Sequence, residues 1–593
     1  MPVFSKHEHQ HHDIDLDGQI SHYRVIDCSN KTAQPPLVTQ LRNGEILVGR
    51  PHQSPIRSFK CAYAEMTGTI YPRHRTVTLG KWTNLPIGKR IFIQKDQFVI
   101  KCFAKGQLVF HNSFVWISDK PRLNPFSVKA PTKYNIAIFT IDSTSRNQFR
   151  RHLPLTMKVM AESGFEHFTG FTKIGDNSAI NLLPILTGRV FGAGSRSLVG
   201  LVSNDSFYEQ KNADFSTFKD SLIAQAREAG CATLWNDEIG QTGMGLFHYY
   251  NFGGFRKPVA DYYYRPFYEY GMQKFNGMFG CDHQDQFLPK WVNIFEQFST
   301  KYADRCHFSF NFITTLTHGS ANNAELFDVP LSEALTRMKA AGVLDNTVIV
   351  LQGDHGQRIS WIQRRYVGRI EERMSQMSIH LPDKFKTEYP EAYENFVKNS
   401  NRLTSNFDVY ETLQDIMDKT LEKTTKRTEK HGRSLFTEIP KNRTCQDAMI
   451  PENFCVCMEK SPNKVQMAKF TKDISPLIQT RLSETLDPTC MKDFSIDLND
   501  DYQYYTVSKK VRAGQRYPSH KYNADVAREI NEIEVKGKLT INLKNGKSIS
   551  GSITTRVQAN SARSELKINA SPLVRFEQCP SIFAPEFLCS CQT

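Results

Sequence analysis

Three runs of apolar residues stand in the central part of the chain, at Asn135–Ile141, Phe308–Leu316 and Thr347–Gln352. Segments with apolar residues at helical spacing separate or follow them, and Phe407–Lys419 is a clear example. Buried strands that alternate with amphipathic helices are typical of a parallel sheet between helical layers. The pattern therefore predicts an α/β fold with a mostly parallel sheet over residues 130–430.

The regions on either side of this segment carry a different pattern. Short β-branched and aromatic runs, separated by Pro, Gly and Asn, predict a β-rich N-terminal module over residues 21–120. Cysteines and alternating apolar positions return towards the end, so residues 435–593 are expected to form a cysteine-bearing, β-rich C-terminal module. Residues 1–20 are polar and His-rich, which predicts a disordered tail.

Composition and charge narrow the range of partners. The chain has 593 residues and a formal net charge of +14, from 75 Lys and Arg against 61 Asp and Glu. The excess favours anionic partners, such as an ester on a glycan or a lipid head group, although a diffuse basic surface would give the same count. We expect no nucleic-acid partner, because no basic block with interleaved aromatic residues occurs. We expect no transmembrane segment, because no apolar run approaches ~18 residues.

The cysteines favour an oxidising compartment, because they recur in both flanking regions. We predict disulfides in an extracellular, secreted glycoprotein, although the first residues lack the apolar core of a secretory signal. A cytosolic protein with free thiols stays an alternative, as does soft metal ligation by the Cys455–Cys457 and Cys589–Cys591 pairs. The other cysteines on which this prediction rests are Cys28, Cys61, Cys445 and Cys490, and the glycosylation sequons are at Asn30, Asn204, Asn442 and Asn569.

Reactive side chains follow each of the three apolar runs. Asp142 follows the first run, Thr317 and His318 follow the second, and Asp354 and His355 follow the third. Sites in open α/β sheets form outside the carboxyl ends of the strands, so these groups should share one edge. Carboxylate and imidazole ligands suit zinc or manganese. A helix N-cap or a plain turn is the alternative for any one of these residues taken alone.

A hydroxyl group at a predicted helix start is the fourth element. Ser178 stands before the apolar stretch of Lys173–Gly188, where free backbone N–H groups and the positive end of the helix dipole would face an attacked anionic group. The alternative is that Ser178 or Asn177 serves only as an N-cap.

The motifs together resemble a known family. DSTSR, GDNS with NLLPILTG, CDH, TH, DNTVIVLQGDHGQR, GRIEER and NRLTSNFDVYETL occur in this order. They are similar to those of the sulfatase-like animal family called domain of unknown function 229, within the alkaline-phosphatase-like superfamily. The resemblance runs from about Ile136 to Met417 and implies an alkaline-phosphatase-like core. It also implies that Asp142, Ser178, Asp354 and His355 surround one metal ion, with Ser178 as the nucleophile.

The resemblance assigns further roles around that centre. His318 is similar to the superfamily histidine that faces the substrate or leaving group. Arg146 and Arg358 could bind anionic oxygens in bidentate fashion or serve as structural ion-pair partners. The metal is expected to be a single zinc or manganese ion, with calcium as an alternative.

Two departures from the superfamily's patterns restrict the chemistry. The Pro and Arg that accompany formylglycine formation in sulfatases are missing after Ser178. Thr314 and Thr315 stand where two-metal phosphodiesterases carry an Asp. We therefore predict a one-metal hydrolase or transferase of phosphoryl or substituted-phosphoryl esters. The alternatives are a non-catalytic extracellular binding protein on the same fold and a sulfatase that works without formylglycine.

Overall fold

The computed structural model describes eighteen segments of the chain, and all structural statements below refer to them. They are residues 37–49, 58–68, 75–123, 133–192, 207–208, 218–238, 257–275, 281–282, 285–358, 366–425, 430–451, 454–456, 474–480, 482–483, 491–498, 532–560, 565–568 and 573–576. They fall into two compact units, one within Phe4–Gln363 and Val367–Cys455 and the other mainly within Val456–Thr593. The predicted C-terminal module starts at residue 435, whereas the first unit extends to Cys455.

A mixed seven-stranded sheet forms the centre of the first unit. Its strands are β9 (Asn135–Ile141), β10 (Phe165–His167), β13 (Ala232–Asp237), β14 (Tyr262–Tyr263), β17 (His307–Ile313), β18 (Thr347–Gly353) and β19 (Met377–His380). The strand order is β10-β19-β18-β9-β17-β13-β14. The five strands from β18 to β14 are parallel, and β19 and β10 are added by antiparallel pairing.

Helices cover both faces of this sheet. They are α1 (Arg146–His152), α2 (Pro154–Glu162), α3 (Ser178–Thr187), α4 (Leu222–Glu228), α5 (Arg265–Phe275), α6 (Phe287–Lys301), α7 (Thr315–His318), α8 (Asp328–Ala340), α9 (Tyr366–Arg373), α10 (Asp383–Glu388), α11 (Pro390–Asn399) and α12 (Asn406–Leu421). Short 3-10 helices span Pro121–Leu123, Ala321–Phe327 and Val343–Asp345.

Alternation along β9 shows how the two faces are built. Ile136 and Ile138 join a core that includes residues of α3, α4 and α12, whereas Ala137 and Phe139 join a second core with residues of α6 and α8. All seven residues of β9 are buried, as are those of β17 and β18. A strand covered on both faces needs the continuous apolar run seen in the sequence. The predicted α/β fold with a mostly parallel sheet between helical layers is confirmed.

The N-terminal part is β-rich, as predicted. One sheet has the order β4-β3-β7-β8 with β5 added to β3, and a smaller sheet has the order β1-β2-β6. A shared apolar core holds residues of both sheets, including Val48 and Phe98. The strands are β1 (Val38–Gln40), β2 (Ile46–Val48), β3 (Lys60–Gly68), β4 (Val77–Leu79), β5 (Thr83–Leu85), β6 (Arg90–Ile91), β7 (Gln97–Ala104) and β8 (Gln107–Val115).

The second unit contains one antiparallel sheet of order β20-β21-β22-β23, with β24 added to β22. This arrangement agrees with the β-rich C-terminal module. Its strands are β20 (Met491–Leu498), β21 (Glu532–Leu543), β22 (Ser548–Asn560), β23 (Glu565–Ile568) and β24 (Leu573–Phe576). The remaining strands in the described segments are the pairs β11 (Phe191–Gly192) with β12 (Phe207–Tyr208) and β15 (Cys281–Asp282) with β16 (Asp285–Gln286).

Three disulfides occur among the described residues: Cys61–Cys102, Cys231–Cys306 and Cys445–Cys455. Disulfides in the flanking regions are thereby confirmed, and the Cys445–Cys455 bond argues against Cys455 as a soft metal ligand. The Cys231–Cys306 bond lies within the α/β body and was not predicted. Such bonds favour an oxidising compartment. The predicted Cys28, Cys457, Cys490, Cys589 and Cys591 lie outside the described residues.

In the segments that the structure describes, none of the helices combines the length and apolar character needed to cross a membrane.

Candidate metal centre

The two central strands β9 and β18 bring three of the predicted residues together. They pair in parallel with Gly353 opposite Ile141, so the residues that follow them leave the sheet side by side. Asp142 follows β9 directly, and Asp354 and His355 follow β18. All three side chains are fully buried. The expected convergence at the carboxyl edge of the sheet is therefore what the structure contains.

Two tight backbone features hold these strand ends against each other. Ser143 has a φ of 56°, in the left-handed region that non-glycine residues rarely adopt. In this conformation its N–H donates to Asp354 Oδ1 over 2.9 Å. At Gly353 a Cβ would lie 2.0 Å from the Thr144 carbonyl oxygen, so only glycine allows the loop after β9 to come this close.

Asp354 and His355 each have one atom fixed and one atom free. Asp354 Oδ1 accepts hydrogen bonds from the N–H groups of Ser143 and His355, at 2.9 and 2.8 Å. His355 Nδ1 lies 2.8 Å from the Gly356 carbonyl oxygen, which requires the proton on Nδ1. Burial lowers the pKa of His355 to about 4, so its imidazole is neutral and Nε2 carries a lone pair.

Three ligand-type atoms of this cluster have no hydrogen-bond partner: Asp142 Oδ2, Asp354 Oδ2 and His355 Nε2. His355 Nε2 lies 3.3 Å from Asp354 Oδ2 and 3.8 Å from Asp142 Oδ1. Donor atoms bound at about 2.1 Å around one tetrahedral zinc ion would be about 3.4 Å apart. Buried polar atoms without partners are costly, and a shared divalent cation would satisfy all three. The residues present therefore fit such an ion.

The electrostatics of the cluster lead to the same conclusion. Burial, reinforced by the neighbouring Asp354 carboxylate, raises the pKa of Asp142 well above its usual range. Two buried carboxylates in contact repel each other unless a proton or a cation lies between them. The positive charge of Arg358 opposes this shift but does not cancel it.

Ser178 is the first residue of α3, and its hydroxyl lies next to the cluster. Its Oγ is 3.5 Å from Asp142 Oδ1. The N-cap of α3 is Asn177, whose side chain accepts from the Ile180 N–H over 3.3 Å. Asn181 fixes the preceding loop, because its Oδ1 accepts hydrogen bonds from the N–H groups of Ile174 and Gly175, at 3.0 and 2.9 Å. The N-cap alternative therefore applies to Asn177, which leaves the Ser178 hydroxyl available to the site.

His318 lies on the same edge of the sheet, at the end of α7 after β17. It is half-buried. Gln357 Nε2 donates to the carbonyl oxygens of Thr317 and His318, at 3.2 and 3.3 Å, so the loop after β18 is joined to this turn. The structure thus places His318 beside the loop that carries His355, and its role as an acid stays a prediction.

The two predicted arginines lie in different environments. Arg146 is buried and donates to the Thr169 carbonyl oxygen, and burial lowers its pKa to about 10. Arg358 pairs with the half-exposed Asp176 over 3.2 Å, and its charge contributes to lowering the pKa of His355. Arg146 therefore has a structural contact, whereas Arg358 acts electrostatically on the cluster. Substrate binding by either residue stays a prediction.

A buried ion pair next to the cluster was missed in the sequence. Lys173 and Glu372 form a salt bridge in which the Lys173 side chain is fully buried. Burial lowers the pKa of Lys173 to about 7, and its charge contributes to lowering the pKa of His355. Glu372 stands in GRIEER, one of the motifs that carry the family resemblance, and Lys173 stands two residues before the GDNS motif. The available signal was a charged residue in or beside each motif, but nothing in the sequence pairs two residues 199 positions apart.

Comparison with protein families gives one extended match. The family model described as "Protein of unknown function (DUF229)" matches residues 29–492, which is more than half of the chain. No curated protein matches the chain.

Solved structures with some similarity come from bacteria and from mouse. They include a protein in the alkaline phosphatase superfamily from Vibrio parahaemolyticus, with 13% identity, a TM-score of 0.34 and coverage of 77% of this chain and 87% of that chain. The C-terminal periplasmic domain of EcEptC from Escherichia coli in complex with Zn has 12% identity, a TM-score of 0.31 and coverage of 55% and 97%. The lipoteichoic acid synthase LtaP from Listeria monocytogenes has 13% identity, a TM-score of 0.32 and coverage of 52% and 76%. At TM-scores this low, none of them carries an inference about the activity of this chain.

Proposed function

This chain belongs to the DUF229 family, and we propose that it is a one-metal hydrolase or transferase of phosphoryl or substituted-phosphoryl esters. The observation that carries the proposal is the convergence of Asp142, Asp354 and His355, which are fully buried and each offer a ligand atom within 4.8 Å of the others. Each of them also has one buried polar atom without a hydrogen-bond partner. The Ser178 hydroxyl at the start of α3 lies beside them, 3.5 Å from Asp142 Oδ1. A ligand set for one cation next to a hydroxyl nucleophile is suited to phosphoryl transfer.

Each protein group has a defined part in this reaction. A bound divalent cation, with zinc or manganese as the first candidates, would lower the pKa of the Ser178 hydroxyl and offset the charge that develops on the attacked group. The Ser178 hydroxyl loses its proton to solvent and its Oγ bonds to phosphorus while the bond to the leaving oxygen breaks. His318 donates a proton to that oxygen. Water or an acceptor hydroxyl then attacks the seryl ester and frees Ser178.

The surroundings of Ser178 favour an anionic substrate. The first turn of a ten-residue helix supplies backbone N–H groups and a positive dipole end beside the nucleophile. Arg358 adds a positive charge that is 15% exposed, so it can reach both solvent and the cluster. The net charge of +14 agrees with an acidic glycan or lipid head group as the carrier of the ester.

An extracellular location is part of the same proposal. Three disulfides support it, since such bonds persist in oxidising compartments. The sequon residue Asn442 is exposed on the first unit and is therefore open to glycosylation. The sequons at Asn30, Asn204 and Asn569 lie outside the described residues.

The test replaces the nucleophile and leaves the carboxylate and imidazole ligands in place. Ser178→Ala should lower turnover of phosphate mono- and diesters by roughly 10³-fold or more, while metal content stays close to wild type because three ligands remain. Ser332→Ala is a matched control: Ser332 is also 7% exposed on a helix, but its hydroxyl donates to the Val329 carbonyl on α8. Its turnover should equal that of wild type.

The outcomes separate the candidate functions. Full turnover by Ser178→Ala would assign the nucleophile elsewhere. A wild-type protein that binds metal but turns over no phosphate or sulfate ester would favour the binding protein. Turnover confined to sulfate esters would favour a sulfatase without formylglycine.

A further inference from the structure

One short segment contacts both strand-end loops of the candidate centre. Residues 371–376, called the brace below, are the last three residues of α9 and the three residues that follow it. The Gly353 N–H donates to the Gln376 carbonyl oxygen over 2.9 Å, and the Gln376 N–H donates to Thr144 over 3.1 Å. The Arg146 N–H donates to Met374 over 3.0 Å. The loops after β9 and β18 are therefore tied to one strip of backbone.

Glu372 is the residue of the brace that reaches two parts of the centre at once. Its carbonyl oxygen accepts the Gly356 N–H over 2.9 Å, next to His355. Its carboxylate forms the salt bridge with Lys173, five residues before Ser178. The Lys173 N–H in turn donates to the Arg373 carbonyl oxygen over 2.9 Å. Backbone and side chain thus connect the metal-ligand loop to the nucleophile loop, residues 173–178.

The salt bridge leaves little freedom to the nucleophile loop. The Lys173 side chain is fully buried, and its Nζ lies 4.8 Å from the ring centre of Phe454. Gly175 packs so closely on Ile180 that a Cβ would lie 2.2 Å from that side chain. A loop held at Lys173, Gly175 and Asn181 has a fixed path to Ser178.

We propose that Glu372 and Lys173 are positioning residues, which set the distance between the Ser178 hydroxyl and the metal-ligand loop through one buried salt bridge. The inference rests on the proposed function and adds two residues to it. Neither residue touches the reacting atoms. Replacing a residue that orients a metal ligand or nucleophile without touching the substrate typically lowers metal affinity or activity by about 10–100-fold.

The position of the salt bridge determines what each substitution should change. Glu372→Gln keeps the backbone bond to Gly356, so the ligand loop stays in place while the nucleophile loop loses its anchor. We therefore expect kcat to fall by about 10–100-fold, with metal affinity and KM close to wild type. Lys173→Met should give the same separation of effects.

A buried charge left without its partner can prevent folding, so the double variant is the deciding measurement. Lys173→Met with Glu372→Gln removes both charges of the buried salt bridge, which is far better tolerated than losing one. Arg373, whose side chain is 21% exposed, loses only its own contact with Glu372. Its kcat should fall by the same factor as in the single variants rather than by their product, because the Lys173–Glu372 contact is lost in all three. Metal affinity, measured by chelator competition, provides a readout that does not depend on turnover.

Glu296→Gln is the matched control. Glu296 pairs with Arg337 over 2.7 Å between α6 and α8, away from the centre, and the same chemical change there should leave kcat unaltered.

A double variant that folds, binds metal and keeps wild-type kcat would overturn the inference and leave the proposed function intact. A kcat loss matched by an equal loss of metal affinity would also overturn it, because the salt bridge would then act on the ligands. A wild-type protein without ester turnover would instead remove the proposed function, and the positioning role with it.

Discussion

The carboxyl edge of the central sheet buries acidic side chains in two places, and their surroundings differ. After β13, both oxygens of Glu238 accept hydrogen bonds: one from the N–H groups of Thr314 and Thr315, at 3.3 and 2.9 Å, and the other from the Thr315 hydroxyl at 2.9 Å. After β9 and β18, Asp142 and Asp354 each keep one oxygen without a partner.

The difference shows which property indicates a cation site. Both places combine a strand end, an acid and complete burial, so none of these features distinguishes them. Glu238 caps the start of α7, where a carboxylate compensates unpaired N–H groups and the helix dipole. Asp142 and Asp354 lie beside a neutral imidazole, and Oδ2 of each carboxylate accepts no hydrogen bond. Unpartnered acceptors that converge on one point are therefore the feature that indicates a missing positive charge.

The largest predicted effect is on metal binding, and it should distinguish the removal of a negative charge at Asp354 from the same change at Glu238. Asp354→Asn should weaken metal binding by more than the ~100-fold typical of outer partners and should abolish ester turnover, because a direct anionic ligand is lost. Glu238→Gln should leave the metal affinity of the protein near wild type. Metal content and chelator competition on the two variants measure this directly. Equal losses in both would mean that the comparison does not identify the site.

The sequence predicts the edge on which the site forms, because the physics involved is local. The apolar runs mark β9, β17 and β18, and a parallel sheet brings the residues after them to one edge whatever the loop lengths are. Asp142, Asp354 and His355 follow from that rule. Ser178 is less certain from sequence, because a hydroxyl at a helix start is also a common cap. The structure separates the two roles by giving the cap to Asn177.

Contacts between distant segments are beyond such local rules. The side chain of Arg146 donates to the Thr169 carbonyl oxygen. That contact could not be predicted from the position of Arg146 in the sequence, which is close to Asp142. The pairing of Lys173 with Glu372 depends on how α9 ends against the strand loops. The Cys231–Cys306 disulfide depends on β13 and β17 being neighbours, which needs the strand order and not only the strands.

His318 lies at the end of α7, the helix whose start Glu238 caps. We predict that it acts in catalysis as the acid that protonates the leaving group. His318→Ala should slow a substrate with a poor leaving group by roughly 10²–10⁴-fold and a nitrophenyl-type substrate far less, because only the poor leaving group needs a proton. Rates on a matched pair of esters measure the ratio. Equal slowing of both substrates would assign His318 to binding or structure.

Acidification should affect the Asp142 and Asp354 cluster first. The pKa of Asp142 is raised, so the proton competes with the cation at a higher pH than at an ordinary aspartate. Metal affinity should therefore weaken as pH falls, by about tenfold per pH unit once one proton is displaced per ion. His355, with a pKa of about 4, should stay neutral over most of that range. Chelator competition from about pH 8 to pH 5 tests this, and a flat profile would contradict it.

The smallest predicted effect is on the free energy of unfolding, which should change in opposite directions when Asp142 and Glu238 are replaced by their amides. In the metal-free protein, Asp142→Asn should raise the free energy of unfolding by about 0.5–2 kcal/mol, because it removes one of two buried carboxylates in contact and its amide can donate to Asp354. Glu238→Gln should lower that free energy, because an amide oxygen is a weaker acceptor for the N–H groups at the start of α7. Saturating metal should then favour wild type over Asp142→Asn, since only an intact ligand set gains stability from the ion. Thermal unfolding of the three proteins with and without metal measures both signs. A metal-free Asp142→Asn variant less stable than wild type would mean that the cluster is satisfied without a cation, which would remove the physical basis for placing a metal there.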